Sequence, residues 1–162
     1  MNKNLQIFRS SAGSGKTYTL ALGFIALALV GERNGYKDYY RKILAITFTN
    51  KAAAEMKARV LDYLYCLSNE NDKDNIILWL RKETKLSESE IFTRASDIHN
   101  HILHHYADLG IFTIDKFTYK LVRTFATDLE LSQNFDLEMD NHKIIQPVIA
   151  LLLERIDSSG GE

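Results

Sequence analysis

The stretch Ser10-Ser11-Ala12-Gly13-Ser14-Gly15-Lys16-Thr17 decides the fold. It fits the phosphate-binding pattern G-x-x-x-x-G-K-[ST] at every position but the first, where Ser10 stands in place of Gly. Each residue type has a separate physical reason to be there. Gly13 and Gly15 let the backbone turn tightly, so that successive N–H groups of the loop Ser11-Ala12-Gly13-Ser14-Gly15 converge on phosphate oxygens. A helix opening at Lys16 adds its unpaired N–H groups and the positive end of its dipole. Lys16 brings a point charge to the β- and γ-phosphates, and the Thr17 hydroxyl is a ligand for Mg²⁺. Tyr18 follows with two readings: a stacking face for adenine, or a ring packed among helices. The bland alternative for the whole stretch is a chance Gly/Ser turn. A strand-like run before it and a helix after it favour a nucleoside triphosphate site, with ATP and Mg²⁺ as its ligands.

Outward from the loop, Leu5 to Arg9 (LQIFR) reads as a buried strand. Lys16 to Val30 is apolar nearly all round, as in a helix packed on several sides, and Gly31 punctuates it. Ile43 to Phe48 (ILAITF) is a second strand-like run. Thr49 or Asn50 can cap a helix over Lys51 to Leu67. A polar break, Asn69 to Asn75, precedes a short helix with Trp79. Ser87 and Glu90 have the spacing of a capping box, opening a helix to Asp108 that Gly110 can end. Ile111 to Ile114 is a third strand, and Asp115 can cap a helix from Lys116 to Asp128. After Leu129 the texture turns polar up to His142, and an amphipathic helix then runs to Ile156. The tail Ser-Ser-Gly-Gly-Glu reads as unstructured. Alternating strands and helices predict an α/β fold with a parallel sheet. Its expected division is residues 1–128 and 129–162. Three short strands make a thin sheet, so the fold is expected to be incomplete.

Composition narrows the class. The chain has 162 residues, 46% apolar and 25% charged, which excludes disordered and fibrous proteins. Its formal charge of -1 gives no basic footprint at the level of the whole chain. The lone cysteine, Cys66, cannot form an internal disulfide and fits a reducing compartment. The longest apolar run, Leu20 to Val30, is far short of the roughly 20 residues a spanning helix needs. The start, MNKNLQIF, has no secretory apolar region. A cytoplasmic protein with no membrane partner is expected.

A phosphate loop alone does not separate kinases, transporters, GTPases and motors. The segment Ile43 to Val60, ILAITFTNKAAAEMKARV, does. It closely resembles motif Ia of superfamily-one DNA helicases of the UvrD/Rep type, and the loop form SAGSGKTYTL is similar to that of the AddA/RecB branch. Thr113-Ile114-Asp115-Lys116-Phe117 aligns with the family's T-I-H-S-F motif, with Asp115 and Lys116 in place of His and Ser. The resemblance covers roughly residues 5 to 127 and implies a parallel sheet with flanking helices of the P-loop NTPase (RecA-like) kind. Residues 129–156 resemble the start of the helical accessory domain of these enzymes.

The resemblance implies an ATP-dependent DNA helicase, or a helicase–nuclease subunit, of DNA repair and recombination. It assigns Thr47, Phe48, Thr49 and Asn50 to single-stranded DNA, and carries Thr113 and Phe117 over to the DNA side. Residue chemistry agrees. A strand end delivers Thr47, Phe48, Thr49 and Asn50 to the sheet edge where open α/β sheets place ligands. There Phe48 offers a stacking face, and the hydroxyls and helix-start N–H groups can hold a phosphate. The other reading of Phe48 is a core aromatic. The chain has no D-E-x-Q run and no second motor domain with transition-state arginines, so an N-terminal part of a larger motor is expected. That part would bind ATP without efficient hydrolysis, partnered by the remaining domains and a nuclease subunit.

Other signals point elsewhere. Lys51 can face phosphates, whereas Lys57 and Arg59 read as surface. His101 and His105, at i and i+4, have a spacing that can bind a metal, though no third ligand is forced. Cys66 reads as an inert core thiol. Asp115 at the end of an apolar strand would, in a compact P-loop enzyme such as a kinase, be a Mg²⁺-associated carboxylate. A non-catalytic DNA- or partner-binding module is the remaining alternative.

Overall fold

The computed structural model describes residues 15–33, 38–130 and 141–159. The expected strand Leu5–Arg9 and the loop residues Ser10, Ser11, Ala12, Gly13 and Ser14 lie outside the described residues. The chain divides into two compact units, Met1–Phe117 and Thr118–Glu162.

In the first unit, α1 (Lys16–Arg33) leads to a 3-10 turn (Tyr39–Lys42) and then to β1 (Ala45–Thr47). Three helices follow: α2 (Asn50–Ser68), α3 (Ile77–Thr84) and α4 (Glu88–His104). The chain then re-enters the sheet as β2 (Ile111–Thr113). Among the described residues the sheet has two strands, parallel, in the register Ala45↔Ile111, Ile46↔Phe112, Thr47↔Thr113. This is a helix-rich domain around a small parallel sheet. The connection between the strands is the long helical crossover that a parallel pair requires.

The core follows from helical periodicity. Helix α2 buries Ala53, Met56, Val60, Tyr63, Leu64 and Leu67, and α4 buries Ile91, Ala95, Ile98 and Ile102. Positions three and four apart share a face, so each helix turns one stripe inward. These stripes meet each other and Ala21, Phe24, Ile25, Ala28 and Leu29 of α1. Each fully buried Leu, Ile or Phe contributes about 1.5–3 kcal/mol to the unit. Helix α1 is not enclosed on every side: Leu20 and Leu27 are exposed. Arg94 of α4 reaches across and donates to the Leu29 carbonyl at 3.1 Å.

Caps set the helix starts. Thr49 Oγ1 accepts from the Ala52 N–H at 3.1 Å, which opens α2 at Asn50. The capping box forms as its spacing predicts: Ser87 N donates to Glu90 Oε2 at 2.8 Å, and Glu90 N to Ser87 Oγ at 3.3 Å.

Both glycines read as helix punctuation serve another purpose. Gly31 lies inside α1, and a Cβ there would sit 2.1 Å from Tyr39 Cγ, so its bare backbone makes room for that ring. Gly110 does not end α4, which stops at His104 and is followed by a 3-10 turn, Tyr106–Asp108. A Cβ on Gly110 would stand 2.3 Å from the Ile43 carbonyl oxygen. The Gly110 carbonyl in turn accepts from the Ala45 N–H at 2.8 Å. Close backbone approach at the sheet is what requires glycine here.

Helix α5 (Ile114–Thr124) starts earlier than expected and ends before Asp128. Ile114 belongs to the helix rather than the strand, and Asp115 lies in its first turn, not at its cap. The capping oxygen is Thr113 Oγ1, which accepts from the Lys116 N–H at 3.3 Å. In the second unit, α6 (Asn141–Ser159) contains Pro147 and exposes Ile149, Leu151, Leu153 and Ile156. Ser158 and Ser159, expected in an unstructured tail, are helical.

Candidate functional site

Gly15 takes φ +78°, a left-handed conformation that glycine adopts without strain. Its carbonyl accepts from Thr19 N at 2.9 Å and from Thr19 Oγ1 at 3.2 Å, closing the first turn of α1. Lys16 is exposed and Thr17 half-buried in that turn. The opening N–H groups of a helix have no partner within it. A left-handed glycine, a lysine and a hydroxyl at this end therefore suit a phosphate and its cation. Tyr18 packs edge-on against Tyr63 of α2, with ring centroids 6.1 Å apart and planes at 82°. That contact matches the packing reading of Tyr18.

The strand register places the carboxyl ends of β1 and β2 side by side, with Thr47 opposite Thr113. Phe48, just past β1, is 88% exposed, which removes the core-aromatic reading. Its neighbours hold the turn around it. Thr47 Oγ1 donates to the Thr49 carbonyl at 3.1 Å and lies 3.4 Å from the Phe112 carbonyl. Thr49 caps α2, and Asn50 is exposed in its first turn. Thr113 is buried and its hydroxyl caps α5, while Phe117 is half-buried. The structure thus gathers Thr47, Phe48, Thr49, Asn50 and Thr113 at one end of the sheet.

Lys57 is not the solvated surface residue its position suggested. Its Nζ lies 5.2 Å from the Tyr106 ring centroid and 5.6 Å from that of Phe112. These aromatics line a groove of about 630 Å³ between α2 and β2, together with Asn50, Ala54 and Lys116. Nothing in the local sequence marks Tyr106 or Phe112 as a ring that a lysine so distant in the chain will cover. Arg59 pairs with Glu55 at 3.2 Å along α2, and Lys51 is exposed.

His101 and His105 stack at 4.7 Å, and His101 Nδ1 pairs with the Tyr40 hydroxyl at 3.0 Å. Among the described residues no group of three or more His, Cys, Asp or Glu side chains is placed to hold a metal ion. Burial pushes the His99 imidazole below its ordinary pKa. Cys66 is half-buried rather than enclosed in the core. Asp115 is exposed. No helix among the described residues is long and apolar enough to cross a membrane.

The family model of the UvrD/REP helicase N-terminal domain matches residues 1–159. The chain is similar to the RecBCD enzyme subunit RecB of Buchnera aphidicola subsp. Acyrthosiphon pisum (strain APS), 37% identical over 87 residues that cover 49% of this chain and 7% of that protein. It is also similar to the RecBCD enzyme subunit RecB of Buchnera aphidicola subsp. Baizongia pistaciae (strain Bp), 31% identical over 134 residues, 77% of this chain and 11% of that protein. The chain thus spans a small part of the length of the curated relatives it matches. No solved structure matches it.

Proposed function

We propose, since the chain belongs to the UvrD/REP helicase N-terminal domain family, that it is the ATP-binding and single-stranded-DNA-contacting part of an ATP-dependent DNA helicase. The observation that carries the DNA half of this reading is Phe48, an aromatic ring 88% exposed at the carboxyl end of a sheet strand. An apolar ring left in water at a ligand-binding edge suits base stacking, which needs no sequence preference. Thr47 and Thr49 hold the turn that presents it to the single strand, Asn50 adds a polar contact, and Thr113 at the end of β2 and Phe117 in α5 complete the DNA side.

The ATP half rests on Gly15, Lys16 and Thr17, with Ser11, Ala12, Gly13 and Ser14 completing the loop. Lys16 would neutralise charge on the β- and γ-phosphates, and the Thr17 hydroxyl would be a ligand for the Mg²⁺ bound with the nucleotide. Tyr18 packs against Tyr63 and, half-buried, would also offer adenine a stacking face. Bound Mg²⁺-ATP would supply the γ-phosphoryl group whose transfer to water, with release of ADP, drives a motor. We assign that hydrolysis to the full-length protein, with the water-activating carboxylate and transition-state arginines supplied by its remaining domains. Residues 129–162 would begin the helical accessory domain. Cytoplasmic location, a role in DNA repair or recombination, and a nuclease subunit as partner complete the proposal.

Titration with a fluorescent ADP analogue tests it. Lys16→Ala should weaken nucleotide binding at least about tenfold, equivalent to 1.4 kcal/mol. Equal affinity in the two proteins would show that this loop is not the nucleotide site.

A further inference from the structure

The first turn of α1 is closed by the Thr19 N–H on the Gly15 carbonyl, and where that turn sits depends on what its side chains pack against. In α1 that turn carries Lys16 and Thr17, and Tyr18 is the aromatic residue within it. The Tyr18 ring meets the edge of Tyr63, 6.1 Å between centroids. Tyr63 is 2% exposed, and its hydroxyl donates to Asp74 Oδ2 at 2.6 Å. Burial, and then the Asp74 carboxylate, push the Tyr63 hydroxyl pKa up.

Asp74 is itself held. It sits at φ 61°, ψ 19° in the 3-10 turn Lys73–Asn75, a conformation that a residue with a side chain adopts at a cost. That turn is tied to its neighbours on both sides. Lys73 Nζ bonds Asp62 Oδ2 of α2 at 2.5 Å, and Asp72 Oδ1 accepts from Ile77 N of α3 at 3.0 Å. A chain of contacts therefore runs from the turn at 72–75, through the buried ring of Tyr63, to the residue next to Thr17.

We propose that Tyr63 is a positioning residue for the helix end of the phosphate loop: its buried ring is the floor on which Tyr18 sets the first turn of α1, and so the direction of the Lys16 and Thr17 groups. The proposal rests on the reading of that loop as the nucleotide site. It goes beyond that reading by giving a role to an α2 residue remote in sequence from the loop.

The test uses the 162-residue chain and the fluorescent ADP analogue, at a temperature where circular dichroism shows every variant folded. Tyr63→Leu removes the aromatic edge and should weaken nucleotide binding about fivefold, the equivalent of one aromatic pair contact. Tyr63→Phe keeps the edge and should restore affinity to within about twofold of wild type, although it loses the Asp74 hydrogen bond. Ile98→Ala, a core truncation on α4, is the control for general destabilisation and should leave affinity within about the same twofold margin. If Tyr63→Leu does not fold, Tyr18→Leu removes the same contact from the other side and carries the same expectation.

Wild-type affinity in Tyr63→Leu, or an equal loss in Ile98→Ala, overturns the positioning role. Lys16→Ala separates this failure from that of the parent reading. If Lys16→Ala loses affinity and Tyr63→Leu does not, only the positioning role falls. If Lys16→Ala binds as wild type does, the loop is not the site and both fall.

Discussion

Replacing Phe48 by alanine separates stacking from packing, because the two readings differ in both magnitude and observable. The ring is 88% exposed, so folding takes almost none of its surface out of water. Truncating a side chain in such a place changes stability within about 0.5 kcal/mol. A core phenylalanine would instead cost about 3–5 kcal/mol. The turn around it should survive, because it is held by Thr47 Oγ1 on the Thr49 carbonyl and by Thr49 Oγ1 on the Ala52 N–H. If a base stacks on the ring, loss of the stack costs about 1–3 kcal/mol of binding. That is about a 5- to 150-fold weaker Kd. Fluorescence anisotropy with a labelled oligothymidine at one fixed, low salt concentration reads the affinity, since salt alone shifts phosphate contacts strongly. Thermal unfolding by circular dichroism reads the stability. Phe48→Trp, with a larger stacking face, should bind at least as well as wild type. Unchanged affinity in Phe48→Ala would refute the stacking role, and a large fall in stability would mean that the ring is buried after all.

Gly110→Ala forces a Cβ to within 2.3 Å of the Ile43 carbonyl oxygen. Backbone cannot swing away as a side chain can, so we expect a loss of about 1–3 kcal/mol in urea unfolding; an unchanged midpoint would show that residues 43–45 shift freely. Thr113→Val removes the oxygen that receives the Lys116 N–H. It should cost about 1 kcal/mol of stability with single-strand affinity unchanged, and weaker DNA binding at full stability would instead make Thr113 a direct contact. His99 has a pKa held below its ordinary 6.5 by burial, so the unfolded chain takes up its proton first. Stability therefore rises with pH across that window: it is full above 6.5, falls on acidification, and levels off below the folded pKa. Urea midpoints measured from neutral to acid pH should show that slope, and His99→Gln should flatten it; an equal slope in the variant would mean that other groups govern it.

The parts of the fold that were legible in sequence are those whose cause lies within a turn or two of chain. The capping box at Ser87 and Glu90, the Thr49 cap and the inward stripes of α2 and α4 all depend on neighbours at i+3 or i+4. Such spacings can be read directly. The glycines could not be sorted in this way. A glycine records only a missing Cβ, and that absence serves positive φ, helix termination or close approach alike. Gly15 uses it for φ +78°. Gly31 and Gly110 use it for a ring and a carbonyl supplied by other elements, so reading them as punctuation misplaced the ends of α1 and α4. Lys57 failed for the same reason in reverse. Its charge marked it as surface, but the Tyr106 and Phe112 rings that it covers arrive through the crossover, from beyond α4.

Hydroxyls at strand ends carry a further ambiguity that bears on the site itself. A threonine before a helix has the same chemistry whether it caps the helix or meets a ligand phosphate. In this chain capping takes Thr49 and Thr113, and Thr47 spends its hydrogen on the Thr49 carbonyl. A hydroxyl already bonded to its own backbone gains less from a phosphate, because one bond is exchanged for another. Phe48 and Asn50 are exposed at the same edge. Single-strand affinity in the proposed function should therefore concentrate on the Phe48 face, with the threonines acting mainly by holding that face outward. Substitutions at Thr47 or Thr49 should then lower DNA binding only as far as they loosen the turn, and their affinity losses should track their stability losses, whereas those at Phe48 should not.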